Sequence, residues 1–505
     1  MDRRQFIGAT AGAMAAAATS RARADGGRIV QRPNVLFLMA DQHRGDCVGA
    51  DGNPHIHTPS LDRIAREGAL FSRAYTSTPS CTPARAGLLT GLSPWHHGML
   101  AYGAVSPRYE REKPRLMRDA GYYTTGIGKM HWHPQRHTHG YHQTIVDESG
   151  RAESPEFVSD YRQWFREVAP DLDPDATGVG WNDHMGRMYV LPEELHPTRW
   201  TGDVAVDFLE TYHRPEPFFL KVSFARPHSP YDPPQRFYDM YENEPVPGRV
   251  LGEWCAENRL EGEDLPSHLA RGDVGAETVR HSRRCYYGSV SFIDEQVGRM
   301  LSALERRGLL DNTLIVYTSD HGDMLGDHHM WRKTFAFEGS ARIPMLMRWP
   351  EGMVDGPRGR VESAPVELRD ILPTCLHAAG APYDPSHFDG GSMLSLLQGR
   401  GQWRDAIDLE HGRCYWPENQ WTALTDGHTK YIYFAPTGEE MLFDLDRDPN
   451  ETRDLARSPG HDDLRRHWRQ RMVEHLAERG EPWVVDGDLG LRPDPMVYGP
   501  NYPRI

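Results

Sequence analysis

Asn34-Val35-Leu36-Phe37-Leu38-Met39-Ala40 runs directly into Asp41-Gln42-His43-Arg44. An unbroken apolar run of this kind predicts a β-strand buried on both faces, as in a parallel sheet. The polar residues stand at its carboxyl end, where open α/β sheets place their sites. The pattern recurs. Tyr122 to Ile127 delivers Gly128-Lys129-Met130-His131-Trp132-His133, and Phe218 to Phe224 delivers Ala225-Arg226-Pro227-His228. Thr313 to Ser319 delivers Asp320-His321-Gly322-Asp323. Helical patterns lie between these runs: Ser60 is an N-cap candidate before Leu61, Ile64 and Ala65, further pieces fall near 158–168 and 203–212, and a longer one spans 286–305. Strands alternating with helices predict an α/β fold with a large, mostly parallel central sheet flanked by helices. Residues 33–380 are assigned to that domain. From 381 the texture changes to a loop-like stretch (400–421), a hairpin of Thr429–Phe434 and Met441–Leu445, and an amphipathic helix over 463–479. This predicts a smaller C-terminal α+β subdomain, 381–505.

The chain has 505 residues, 38% of them hydrophobic and 26% charged, enough for a large core spread over more than one unit. No apolar run is long enough to predict a membrane span. Residues 1–24 are of another kind: Arg3-Arg4-Gln5-Phe6-Ile7 precedes an alanine-rich stretch that ends in Ala22-Arg23-Ala24. This reads as a twin-arginine export signal followed by a linker, 25–32, and predicts a bacterial protein handled by the twin-arginine machinery and delivered to the periplasm. Net charge is −15, and −18 without residues 1–24, which argues against nucleic-acid binding. An anionic substrate stays compatible, because a local cluster of Lys, Arg and His can dominate the field inside a cleft. Six cysteines (Cys47, Cys81, Cys255, Cys285, Cys375, Cys414) are too few for a disulfide framework and show no C-x-x-C metal spacing.

One cysteine stands apart. Ser80-Cys81-Thr82-Pro83-Ala84-Arg85-Ala86-Gly87-Leu88-Leu89-Thr90-Gly91 is a cysteine-led turn running into an apolar helical segment. Taken alone it reads as a buried thiol at the head of a helix, since free Cys behaves as a small hydrophobe. Joined to Gly128-Lys129-x-His131, Pro227-His228 and Asp320-His321-Gly322, in that order, it resembles the type I sulfatases, the formylglycine-dependent members of the alkaline phosphatase superfamily. The resemblance extends from Asn34-Val35-Leu36 to Leu442-Phe443-Asp444-Leu445-Asp446-Arg447-Asp448-Pro449-Asn450-Glu451.

The resemblance implies an alkaline phosphatase-like sulfatase fold and conversion of Cys81 to formylglycine by a formylglycine-generating enzyme. It implies one divalent metal on Asp41, Gln42, the Cys81-derived group, Asp320 and His321. Calcium is the family's usual ion and suits oxygen donors. The chain departs from many members in having Gln42 for an acid and His321 for an asparagine, and an imidazole ligand fits Mn²⁺ or Zn²⁺ better. By position, Arg85 holds the formylglycine and metal, Lys129 and Lys333 contact sulfate, His131 is the base for elimination, and His228 is the proton donor, shared with Lys333. His97, Arg226, His411 and Trp421 are candidate substrate contacts, and Asp323, Asp327 and His328 brace the metal loop. The chemistry is coherent without the family. Sulfate-ester cleavage needs a nucleophile at sulfur, cations on the non-bridging oxygens and a proton for the alkoxide. A hydrated aldehyde offers one hydroxyl to attack and a second whose deprotonation expels sulfate. The function expected is hydrolysis of a sulfated small molecule or glycan, preferably a carbohydrate ester. Two alternatives are a phosphonate monoester or phosphodiester hydrolase using the same nucleophile, and a non-catalytic binder of sulfated glycans.

Overall fold

The computed structural model describes residues 32–261 and 265–504. Residues 1–24, read from the sequence as an export signal, and nearly all of the expected linker lie outside the described residues. Residues 33–505 form one compact unit.

The large sheet is built from β1 (Asn34–Asp41), β2 (Ala69–Phe71), β3 (Tyr123–Gly128), β4 (Gln143–Val146), β5 (Phe218–Pro227), β6 (Thr313–Ser319), β7 (Met345–Arg348) and β8 (Arg360–Glu362). Its order is β4-β3-β5-β1-β6-β7-β2-β8. All neighbours are parallel except β7, which runs antiparallel to both β6 and β2. β1 is central, and Val35 to Ala40 are all 0% exposed, as an apolar run without alternation requires.

Each face of the sheet has its own core. Val35, Phe37 and Met39 pack with Ala84 and Leu88 of α2 (Cys81–Thr90) and with Ile371, Leu372 and Cys375 of α5 (Ile371–Ala378). Leu36, Leu38 and Ala40 pack with α1 (Pro59–Arg66), α3 (Pro197–Thr211) and α4 (Ala276–Arg306). Fully burying one such side chain contributes about 1.5–3 kcal/mol, so β1, buried on both faces, anchors the scaffold.

The smaller sheet is antiparallel: β9 (Ile407–His411), β10 (Trp421–Thr425), β11 (Thr429–Phe434) and β12 (Glu439–Asp444), followed by α6 (Asp462–Leu476). Met393, Leu394 and Leu397 still belong to the core of the large sheet, so the change of architecture falls just before β9.

The structure departs from the sequence expectations at three places. β9 lies in the stretch read as loop, because Ile-Asp-Leu-Glu-His carries acids that are buried and paired: Asp408 with Arg369 at 2.5 Å, and Glu410 with both Arg479 nitrogens at 2.8 Å. α1 begins at Pro59 with Thr58, not Ser60, at the cap position. Its first amides are satisfied by Asp294 of α4, which accepts from Ser60 N at 3.0 Å and Leu61 N at 2.8 Å. α3 and α4 each start earlier than their periodicity suggested, α3 behind a His196 side chain that accepts from Thr198 N at 3.0 Å. All six cysteines are free thiols.

Candidate active site

Strand register converts the four polar strand ends into one cluster. Ala40 pairs with Ser319, so Asp41 and Asp320 leave the sheet side by side. On the other flank of β1, the pairing with β5 shifts between Ala40 and Asp41 and brings Asp41 opposite Pro227; His228 N then donates to the Asp41 carbonyl at 3.0 Å. Gly128 pairs with Ser223 of β5. Gly128 has φ +87°, and a Cβ there would sit 2.1 Å from the Ser223 carbonyl oxygen, so only glycine lets β3 turn this close to β5 and release Lys129.

Cys81 is the first residue of α2, preceded by the extended Ser80. Its Sγ lies 3.2 Å from His321 Nε2, 3.2 Å from Lys333 Nζ and 3.9 Å from Asp41 Oδ1. Burial and Asp41 push the thiol pKa up, but Lys333, Lys129 and His321 outweigh them and bring it down to about 7. That electropositive setting marks a reactive thiol. One turn along α2, Arg85 is fully buried and joins the two carboxylates: Nη2 donates to Asp41 Oδ2 at 2.9 Å and Nε to Asp320 Oδ2 at 3.0 Å. Its Nη1 donates to the Lys129 carbonyl at 2.8 Å and to Ser223 Oγ at 3.3 Å. Burial opposes the Asp41 charge, yet Lys129, His228, Arg85 and Lys333 together hold its pKa well below the usual carboxylate range.

The donor set fits a divalent cation. Arg85 occupies Oδ2 of both acids, while Oδ1 of each lies within 3.9 Å of His321 Nε2. His321 Nδ1 is 2.8 Å from the Gly322 carbonyl, which must accept, so Nδ1 carries a proton; burial opposes charge on the ring, yet Asp320 and Cys81 raise its pKa, and a cation would bind through Nε2 with release of its proton. Ligand atoms of Asp41, Cys81, Asp320 and His321 all fall within 4.8 Å of one another. Gln42 is held in the left-handed region at φ +69°, its backbone N donating to Asp320 Oδ1 at 3.1 Å. Its Nε2 donates to Asp323 Oδ2, which also accepts from Tyr231 Oη at 2.5 Å. With Nε2 committed there, Oε1 is the amide atom that meets Lys333 Nζ, at 3.1 Å.

Cations and imidazoles complete the cluster. Lys129 Nζ is 2.6 Å from Asp41 Oδ2 and 4.5 Å from the Trp181 ring. His228 stacks on Trp181 at 4.1 Å. Its Nδ1 is 2.8 Å from the Ser229 carbonyl, so Nε2 is an acceptor, and Lys333 Nζ donates to it at 2.8 Å. Burial first, then Lys333 and Lys129, push His228 well below its ordinary pKa. His131, at φ +62°, lies 3.4 Å through Nε2 from Tyr102 Oη, and burial with Arg151 and Lys129 likewise keeps it neutral. Glu148 pins this strained backbone, Oε1 accepting from Met130 N at 3.0 Å and His131 N at 2.9 Å. Left-handed non-glycine residues cost about 1–3 kcal/mol each and gather at functional sites; here Gln42, His131, Arg332 and Thr334 do so.

Of the sequence-derived residues, Asp41, Gln42, Cys81, Arg85, Lys129, His131, His228, Asp320, His321 and Lys333 surround one point. The four expected substrate contacts do not, and their roles are corrected. His97 is buried behind α2, with Nδ1 accepting from Met99 N at 3.2 Å. Arg226 forks onto Asp232 at 2.6 and 2.9 Å. His411 Nε2 meets Ser80 Oγ at 2.9 Å, and Trp421 Nε1 donates to the Thr334 carbonyl at 2.9 Å. The last two therefore brace the residues flanking Cys81 and Lys333 from the smaller sheet. Asp323 supports the site as expected through Gln42. Asp327 braces the same loop through Arg44 at 2.8 Å and Arg283 at 2.5 Å, which donate to the carbonyls of Asp323, Met324 and Leu325, and His328 Nδ1 accepts from Gly252 N at 3.0 Å. Trp181, Glu148 and Tyr102 were missed. They lie in irregular segments whose local sequence carries no signal for contact with a strand end.

Known proteins resemble this chain in sequence and fold. The sulfatase family model matches residues 33–381, and a model described as N-sulphoglucosamine sulphohydrolase, C-terminal, matches residues 326–478. An arylsulfatase of Clostridium perfringens is 37% identical over 478 residues, covering 92% of this chain and 98% of the relative. A choline-sulfatase of Rhizobium meliloti is 31% identical over 455 residues, covering 85% of this chain and 83% of the relative. Among solved structures, the phosphonate monoester hydrolase of Agrobacterium radiobacter superposes with a TM-score of 0.73 at 26% identity, covering 91% of this chain and all of that one. With the parallel sheet, the strand-end cluster and these matches in place, the chain belongs to the sulfatase family, the sulfuric ester hydrolases of the alkaline phosphatase superfamily.

Proposed function

We propose that this chain is an exported sulfatase that hydrolyses a sulfate ester on a carbohydrate, with formylglycine made from Cys81 as nucleophile and a divalent ion held by Asp41, Gln42, Asp320 and His321. The observation that carries the reading is Cys81 itself: it heads a helix between Lys333 and His321, against two carboxylates braced by Arg85. Hydrated formylglycine would supply a hydroxyl to attack sulfur and a second hydroxyl for release of sulfate. The ion would supply positive charge to the nucleophile and sulfate oxygens; Ca²⁺ is the ion proposed, with the His321 imidazole as the feature that would favour Mn²⁺ or Zn²⁺.

The chain's own residues divide the remaining work. Lys129 and Lys333 neutralise sulfate oxygens. His131, kept neutral by burial with Arg151 and Lys129, accepts the proton of the elimination step. The donor role expected for His228 passes to Lys333: His228 Nε2 is an acceptor in this network, whereas Lys333 carries the proton between them. Lys333 gives that proton to the departing alkoxide, and His228 holds the ammonium in line. Cys81, Thr82, Ala84 and Arg85 are at most 4% exposed and Pro83 is buried with them, which supports modification before the chain folds. Such a sequence of events agrees with the twin-arginine pattern at 1–24, since that route carries folded proteins to the periplasm.

The test has two parts. Mass spectrometry of the peptide containing Cys81 from the native host should show the thiol-to-aldehyde change, and the modified protein should turn over p-nitrophenyl sulfate faster than phenyl phosphonate. A clear preference for the phosphonate would replace the sulfate ester by a phosphonate monoester, the chemistry named for the Agrobacterium radiobacter structure. An unmodified Cys81 in protein that still binds sulfated glycans would leave a binder.

A further inference from the structure

Among the described residues, buried arginines in this protein are matched to acids: Arg44 to Asp46 and Asp327, Arg85 to Asp41 and Asp320, Arg226 to Asp232, Arg283 to Asp327, Arg348 to Glu67, Arg369 to Asp408 and Arg479 to Glu410. Arg332 and Arg492 are the exceptions. Arg492 lies over Trp483, its pKa brought down to about 10 by burial. Arg332 adjoins the catalytic Lys333.

Arg332 is 6% exposed, yet its guanidinium makes no ion pair with a described residue, and its Nε is buried without a hydrogen-bond partner. Its backbone is fixed, N donating to Asp323 Oδ1 at 2.8 Å and its carbonyl accepting from Met324 N at 2.7 Å, with φ at +70°. The guanidinium carbon lies 4.4 Å from the centre of the Tyr415 ring. Tyr415 is 41% exposed, as is Tyr102, at 46%, above His131. A buried, unpaired guanidinium is costly unless something neutralises it. This one lies against an aromatic ring and next in sequence to Lys333, beside a cluster of cations suited to an oxyanion. A planar fork of donors suits a carboxylate or sulfate group bidentately, and the ring beneath it keeps the fork oriented.

We propose that Arg332 and Tyr415 form a second anion subsite, so that the preferred substrate carries a carboxylate or a further sulfate close to the scissile sulfate ester. The inference rests on the assignment of Cys81 and Lys333 to the scissile group. It selects acidic or multiply sulfated saccharides over neutral monosulfated ones. Arg332 touches no reacting atom in this scheme; it determines specificity.

The experiment compares 3- and 4-carboxyphenyl sulfate with 3- and 4-carbamoylphenyl sulfate, which match in shape and differ in charge. Resorcinol bis-sulfate against its monosulfate distinguishes a sulfate from a carboxylate as the second group. Wild type, R332Q and R332K are compared, with each Cys81 conversion checked by mass spectrometry. For at least one pair the ratio of kcat/KM, anionic over neutral, should fall about 10- to 100-fold in R332Q, the range of a lost charge-assisted fork. R332K should recover only part, because an ammonium cannot form the fork. The comparison of ratios cancels leaving-group differences between substrates. Equal loss on all substrates, or no change in any ratio, overturns the subsite and leaves the sulfatase reading standing. Failure of fully converted wild type to cleave any of these esters, or p-nitrophenyl sulfate, overturns the nucleophile assignment and the subsite with it.

Discussion

Arg85 offers the sharpest test of how the site is held together. Its guanidinium is the shared partner of Asp41 Oδ2 and Asp320 Oδ2, at 2.9 and 3.0 Å, and all three side chains are 0% exposed. Arg85→Met keeps the length and apolar stem and removes the charge. Asp41 would retain Lys129 at 2.6 Å, but Asp320 would lose its arginine and stay buried. Removing one partner of a buried ion pair costs about 3–5 kcal/mol, mostly from the charge left uncompensated. A divalent ion beside the two Oδ1 atoms would supply that missing charge, so the cost should depend on metal. The assay is guanidinium unfolding of wild type and R85M followed by tryptophan fluorescence, once in EDTA and once in excess CaCl₂. In EDTA the variant should be destabilised by about 3–5 kcal/mol, and CaCl₂ should narrow the gap while raising both midpoints. A difference below about 1 kcal/mol in EDTA, the value expected of an exposed pair, would refute the idea that Arg85 neutralises the two acids. A gap unaffected by the ion would refute their joint role in holding it.

Glu148→Ala should lower kcat with little change in KM, because it frees the left-handed His131 backbone pinned at 3.0 and 2.9 Å; E148Q, which keeps the acceptor, should restore most of it, and equal loss in both variants would show that charge is what matters. Lys333→Met should slow alkyl sulfate hydrolysis far more than that of p-nitrophenyl sulfate, by about 10²- to 10⁴-fold for the poorer leaving group, as loss of a general acid does; uniform slowing would return the proton to His228. Burial pushes the Asp294 carboxyl up to about 7 against the bonds it accepts from Leu61 and Ser60. Between about pH 4 and that value the folded chain keeps a proton the unfolded chain has released, so this group's stabilising contribution is full at low pH and is lost as pH rises, by at most about 1.4 kcal/mol per pH unit. D294N should flatten the stability profile between pH 4 and 7; an unchanged slope would mean that Asp294 is already ionised.

The chemistry of this protein was largely legible in one dimension because strand ends are local features. An apolar run that stops at Asp41 or Asp320, a glycine before Lys129, or a cysteine heading an apolar helix is visible within about ten residues, and each belongs to the cluster. The same locality made β1, buried on both faces, predictable. β9 escaped because its acids look solvent-exposed until Arg369 and Arg479, brought from distant segments, pair with them.

Residue type determined which side chains could do the chemistry, and tertiary structure decided which of them face it. His97, Arg226, His411 and Trp421 have the composition of ligand contacts, but each is buried and hydrogen-bonded within the protein. Trp181 and Glu148 have no local mark, yet one stacks on His228 and the other fixes His131. The physical reason is register: pairing Ala40 with Ser319 and Gly128 with Ser223 joins segments distant in the chain, and with them the direction of every side chain at the sheet's edge.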